Sequence, residues 1–154
     1  MLALKSIIFT LLFPGSVTVL IPYLILSQQV ERLQVEWSSL SVAGLLTILV
    51  GAAILLRCVW DFAVTGRGTL APIDPPTHLV VRGLYRWVRN PMYVGLTLVF
   101  AGLLIYFQVS WGLVFVPLAV WLITNWVIVP EEKYLGEKFG EEYLQYKSKV
   151  RRWI

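Results

Sequence analysis

The stretch MYVGLTLVFAGLLIYFQVSWGLVFVPLAVWLITNWVIV, residues 92–129, runs for 38 residues without a charged side chain. An α-helix needs about 20 apolar residues to cross roughly 30 Å of hydrocarbon. The run is therefore too long for one span and sufficient for two short ones, 92–107 and 111–129, with Gln108, Ser110 and Gly112 marking the turn between them. Upstream, Leu40 to Leu56 reads as another span, extended to Trp60, whose indole suits the membrane interface. Ile7 to Leu26 is a further uncharged run of twenty residues. Lys5 before it raises the rival reading of a signal peptide; Pro14, Pro22, its length and the lack of a small-x-small site after Leu26 favour a retained span.

The expected fold is an all-α, integral-membrane, single domain over residues 1–154, with about four transmembrane helices at 7–26, 40–60, 92–107 and 111–129. Composition points the same way. Of the 154 residues, 58% are hydrophobic and 14% charged, against about 45 to 50% and about 25% in soluble domains, and the mean hydropathy is +0.74. Cys58 and His78 are the single cysteine and histidine, which excludes a disulfide framework and a Cys/His metal cluster within one chain. No metal is expected.

Charge sets the orientation. Twelve of the thirteen basic residues lie near the N-terminus, from Arg57 to Arg89, or from Lys133 to Arg152; Arg32 alone falls on the other side. By the positive-inside rule both termini and the central loop are cytoplasmic, and 27–39 is outside. The net charge of +4 would suit nucleic acid, but on so apolar a chain an anionic membrane face is the expected partner.

After Pro130 the last 24 residues hold eleven charges, with apolar residues at Leu135, Phe139, Tyr143, Tyr146, Val150 and Trp153. Their mean spacing of 3.6 predicts an amphipathic helix over 131–154, lying on the cytoplasmic membrane face or docked over the spans as a cap. Gly136 and Gly140 weaken it and are where it could divide in two.

The loop from Arg57 to Pro91 concentrates the unusual residues. Gly66, Gly68 and Ala71 match G-x-G-x-x-A, but a dinucleotide loop needs a preceding strand and a following helix. Here a membrane helix precedes and Pro72 follows, leaving either a turn or a close backbone approach to a ligand. Pro72, Pro75 and Pro76 make the next segment stiff. Arg82, Tyr85, Arg86, Arg89, Asn90, Pro91 and Tyr93 then crowd into twelve residues. Asn90 suits an N-cap with Pro91 as the first helical residue, and lipid phosphate would account for the arginines; neither reading uses the tyrosines. Glu131 and Glu132 follow the last span. They either open a new helix after Pro130 or face a cationic ligand. With the arginines at the ends of one hairpin they would offer donors for a carboxylate and acceptors for an ammonium, as an amino-acid-like ligand requires.

At these residues the sequence resembles a known family. GLYRWVRNPMYVG, Gly83 to Gly95, resembles the signature of integral-membrane methyltransferases of the isoprenylcysteine carboxyl methyltransferase and phospholipid methyltransferase superfamily. The isoprenylcysteine branch reads arginine-histidine-proline-x-tyrosine, from which Asn90 departs. Asn90, Pro91, Met92 and Tyr93 reproduce the phosphatidylethanolamine branch, and Gly66 with Gly68 and Glu131 with Glu132 look like its G-x-G and paired glutamate. The tail FGEEYLQYKSKVRRWI looks like the isoprenylcysteine branch. The resemblance runs from about Gly66 to the C-terminus; the first two spans carry no motif.

It implies S-adenosylmethionine as cofactor and a lipophilic or small amphiphilic acceptor reached from membrane lipid. It also implies Arg89, Asn90 and Glu132 as catalytic residues. Gly66, Gly68, Tyr85, Arg86, Pro91, Tyr93, Gly95, Glu131 and Glu132 would form the cofactor site. In that scheme Glu131 or Glu132 takes the ammonium, Arg89 or Arg86 the carboxylate, and Tyr93 and Tyr85 line the pocket. The alternative is a non-catalytic membrane protein whose basic loop and amphipathic tail bind anionic lipid or a partner protein.

Overall fold

The computed structural model describes residues 37–66 and 77–153. The expected first span 7–26, the segment after it, Gly68 and the proline-rich stretch lie outside the described residues.

Helix α1, Ser39–Asp61, begins where Ser38 caps the backbone amide of Ser41 with its hydroxyl at 3.3 Å. Helix α2, Pro91–Tyr106, begins at a proline, whose fixed φ and missing amide cost nothing at the first helical position. The two pack antiparallel along glycines seven residues apart on each helix: Gly51 lies on Gly95, and Gly44 on Gly102. Small residues let backbones approach closely where apolar lipid supplies no hydrophobic drive between helices. Most of α1's large apolar side chains point outward instead, with Leu46, Leu49, Val50 and Leu56 all exposed. An apolar exterior over a small-residue interior suits a lipid surround.

Gln108, at φ 55, turns the chain after α2, and its side-chain amide donates to the hydroxyl of Ser38 at 3.3 Å. A 3-10 turn over Ser110–Val114 leads into α3, Phe115–Ile123, followed by a π-helical turn, Thr124–Ile128, and α4, Val129–Phe139. Residues Gly112–Phe139 thus form one continuous helical run. Of the two readings of Glu131 and Glu132, the opening of a new helix after Pro130 is therefore not what the fold adopts. A proline inside a helix clashes with the carbonyl four residues back and removes a donor. Here the widened turn precedes it, the Val129 amide bonding back to the Thr124 carbonyl, so the helix passes Pro130 intact.

Two described helices, Ser39–Asp61 and Gly112–Phe139, are long and apolar enough to cross a membrane. The sixteen residues of α2 span only about 24 Å at 1.5 Å per residue. The predicted single tail helix over 131–154 is in three pieces: α4 ends at Gly140, α5 covers Glu141–Lys149, and the chain then turns extended at Val150. Gly140 sits at φ 53 and ψ −129, a region open essentially to glycine alone.

Candidate functional site

Between α1 and α2 the described linker runs from Thr77 to Asn90, and its 3-10 turn Gly83–Arg86 buries Tyr85. The Tyr85 ring packs edge-on against Phe62, centroids 5.4 Å apart, in a cluster with Cys58 and Val80. The Tyr85 carbonyl accepts from the buried hydroxyl of Tyr146 at 2.7 Å. That bond docks α5 onto the linker, so the tyrosines of the apolar stripe meet protein. Gly83, at φ 57, leaves no room for a side chain because the carboxylate of Asp61 occupies that space. Asp61, 2% exposed, pairs through one oxygen with Arg57 at 3.1 Å, while its other oxygen has no hydrogen-bond partner.

The linker ends against the tail. Val88 and Arg151 form a parallel β-bridge, the Arg89 amide donates to the Arg151 carbonyl at 2.8 Å, and the Asn90 side-chain amide donates to the Arg152 carbonyl at 3.3 Å. Asn90 holds the N-cap position of α2 without making a capping bond. Its side chain is spent on the tail, which corrects the capping expectation.

Glu132 is the electrostatic centre. It is 7% exposed and meets three cations: Arg89 at 2.9 Å, Arg152 through both carboxylate oxygens at 2.9 Å each, and Lys147 at 3.4 Å. Burial alone would raise its carboxyl. Arg152, then Arg89 and Lys147, outweigh that and hold it below the ordinary carboxylate value. Arg89, its side chain 11% exposed, has buried Nε and NH1 atoms without hydrogen-bond partners; NH1 makes only the ion-pair contact.

Glu131, where the helix has left its apolar stretch, is different. Its side chain is exposed to solvent, with protein atoms crowded around it. The Tyr93 hydroxyl, in the first turn of α2, donates to its Oε2 at 3.1 Å. Crowding pushes this carboxyl above the ordinary value, Tyr93 offsets that in part, and the charge of Glu132 adds to the rise.

Of the residues expected in the site, the fold thus joins Arg89, Asn90, Tyr93, Glu131 and Glu132 at one end of α2 and α4. Pro91 is buried beside them. Arg86 is exposed, Gly95 lies in the contact with α1, Tyr85 is buried behind the linker, and Gly66 ends the π-turn that follows α1. Asp61, Lys147, Tyr143, Tyr146 and Arg152 were not singled out as site residues from sequence; the last four entered only as charge or apolar stripe. Among the described residues no group of three or more His, Cys, Asp or Glu is placed to hold a metal.

The family model for phospholipid methyltransferases matches residues 40–142, a stretch containing the linker, the Tyr93–Glu131 pair and Glu132. The chain belongs to that family. Similar curated proteins include the protein-S-isoprenylcysteine O-methyltransferases of Xenopus laevis, 35% identical over 76% of this chain and 40% of that protein. The human protein of that name is 32% identical over 78% and 42%, and that of Saccharomyces cerevisiae 38% identical over 47% and 31%. The chain spans about two fifths of the length of the first two. No solved structure matches. Family membership makes the mixed signature around Asn90 a variation within methyltransferases; Arg89, Asn90, Tyr93, Glu131 and Glu132 fall inside the matched segment, and Tyr143, Tyr146, Lys147 and Arg152 lie beyond it.

Proposed function

We propose that this protein is a multi-pass membrane methyltransferase that uses S-adenosylmethionine to methylate a lipophilic or small amphiphilic acceptor. The observation that carries the reading is the Tyr93–Glu131 pair, set open beside the buried Glu132 ion-pair centre within a chain of this family. The donor set fits a group bearing both an ammonium and a carboxylate. Glu131 offers an accessible anionic acceptor, oriented by Tyr93. Arg89, whose NH1 is ion-paired with Glu132, offers a buried Nε donor that no described residue hydrogen-bonds, and an unsatisfied buried donor calls for an acceptor.

When bound, the cofactor supplies an electrophilic methyl on its sulfonium for in-line displacement. The protein's share is then positioning and exclusion of water rather than extensive acid-base work. Glu131, held above the usual carboxylate range, suits a group that accepts from a ligand ammonium and, for an amine acceptor, takes up its proton at a carboxylate oxygen. A carboxylate acceptor of the isoprenylcysteine kind would need no base. The outward apolar surface of the helices, including Leu118, Trp121 and Trp126, supports delivery of a lipophilic acceptor from the bilayer. The distribution of basic residues supports a cytoplasmic site with cytoplasmic termini.

The test is calorimetric binding of S-adenosylmethionine and S-adenosylhomocysteine to the detergent-purified protein, with nucleotides as controls. Selective micromolar binding is expected and would direct effort to an acceptor screen. No binding by folded protein in two lipid environments would overturn the reading in favour of a non-catalytic lipid-binding protein.

A further inference from the structure

Two adjacent acids with such different surroundings do not do the same work. Glu132 is enclosed and shared among three cations, whereas Glu131 is accessible and has one neutral partner, Tyr93. The difference is imposed by the strap Val150–Trp153. Its Arg151 carbonyl accepts from the Arg89 amide, its Arg152 carbonyl accepts from Asn90, and the Arg152 guanidinium takes both oxygens of Glu132. A bidentate guanidinium fork fixes a carboxylate in direction as well as charge, which an ammonium cannot do. Lys147, from α5, touches the same carboxylate at 3.4 Å. The strap's backbone thus holds Arg89 and Asn90 in place while its side chain holds Glu132.

We propose that Arg152 is a positioning residue: by capturing Glu132 from the strap it holds Arg89 and Asn90 in register, so that of the paired acids Glu131 alone is presented to a ligand cation. This deepens the methyltransferase reading and rests on it for the identity of the ligand. It also assigns Glu132 a role in aligning the site rather than in contacting the ligand. Without the fork, Glu132 would keep Arg89 and Lys147 but lose its link to the strap. The Arg89 amide would then exchange more freely and its side chain would lose its fixed direction.

The experiment uses the full chain in detergent and two readouts, hydrogen exchange at the Arg89 amide and calorimetric affinity for S-adenosylmethionine. Glu131→Gln is expected to weaken binding at least about tenfold, the loss of one charged hydrogen bond, with exchange at Arg89 unchanged. Arg152→Gln is expected to speed that exchange by about tenfold or more and to weaken binding several-fold. Arg152→Lys should recover part of both, because charge returns without the fork. Glu132→Gln should follow Arg152→Gln; should it fail to fold, the two Arg152 variants decide. Unchanged protection of the Arg89 amide in Arg152→Gln would overturn the proposal. So would a Glu132→Gln protein that loses binding as fully as Glu131→Gln while the strap stays protected. Absence of cofactor binding by the unaltered protein would fail the methyltransferase reading by itself, and exchange at Arg89 would still decide what Arg152 does.

Discussion

Gly51→Val tests whether the glycine contact between α1 and α2 sets the geometry of the site. A Cβ placed at Gly51 stands 2.7 Å from the carbonyl oxygen of Gly95 and 2.8 Å from the amide nitrogen of Val99. Both are backbone atoms, so no rotamer change relieves the overlap. Reaching 3.4 Å, the ordinary contact distance, requires the helices to part by roughly 0.7 Å, before valine's two further carbons are placed. Overpacking of this kind costs about 1–3 kcal/mol, and rigid neighbours put Gly51 at the upper end. Valine's better helix propensity returns only about 0.3 kcal/mol. The expected net loss is about 2–3 kcal/mol, or roughly 4 to 12 °C in thermal midpoint for a chain of this size. Gly136→Ala is the internal control. A Cβ there meets nothing nearer than the Tyr143 ring at 3.8 Å, so it should gain up to about 1 kcal/mol from propensity. Because α2 carries Tyr93 toward Glu131 at 3.1 Å, Gly51→Val should also weaken cofactor binding. The reasoning is refuted if thermal unfolding in detergent places Gly51→Val at or above the unaltered protein.

Three further outcomes are expected. Tyr146→Phe removes one buried hydroxyl and strands the Tyr85 carbonyl, which should cost about 1–3 kcal/mol and raise hydrogen exchange in α5; unaltered exchange would show that α5 docks by ring packing alone. Binding of a cationic ligand at Glu131 needs its ionised form, and this carboxyl is raised. Affinity measured calorimetrically should therefore fall, on acidification, at a pH above the ordinary carboxylate value of 4.5, and Glu131→Gln should remove that dependence. Glu132 is lowered on folding, so its contribution to stability is present above its unfolded value and lost as pH falls through the folded one. Proteolytic release of the strap should accordingly begin only below about pH 4.5, and release already under way near pH 6 would exclude Glu132 as its anchor.

Local signals account for the order of the described helices from Ser39 to Phe139. The uncharged run 92–129 dictated two helices because its length exceeds one span, and Gln108 and Gly112 turned where expected. Pro130 left two readings open because a proline's effect depends on the turn before it. A π-turn is a backbone adjustment with little sequence signature, and it let an apolar span run directly into a charged helix. Gly140 was legible as a weak point, but the dihedral region that only glycine tolerates turned weakness into a corner. The apolar stripe of the tail was real, yet period alone cannot say whether a stripe meets lipid or protein. Tyr143 and Tyr146 proved to be buried, with Tyr146 held by a carbonyl sixty-one residues away.

The site shows the same limit in its electrostatics. Charge type and spacing brought Arg89, Glu131 and Glu132 together as candidates, because arginines and acids recur at the ends of one hairpin. What separates the two acids is invisible in their adjacency. Consecutive residues on a helix point about 100° apart, so one carboxylate turned toward the strap and the other toward the Tyr93 side. The cations that then settled on Glu132 come from positions 89, 147 and 152, two of them counted in the sequence merely as charge on a tail. A paired acid therefore specifies two environments rather than one doubled ligand. On the proposed reading, the segment that neutralises Glu132 leaves Glu131 to face the ligand.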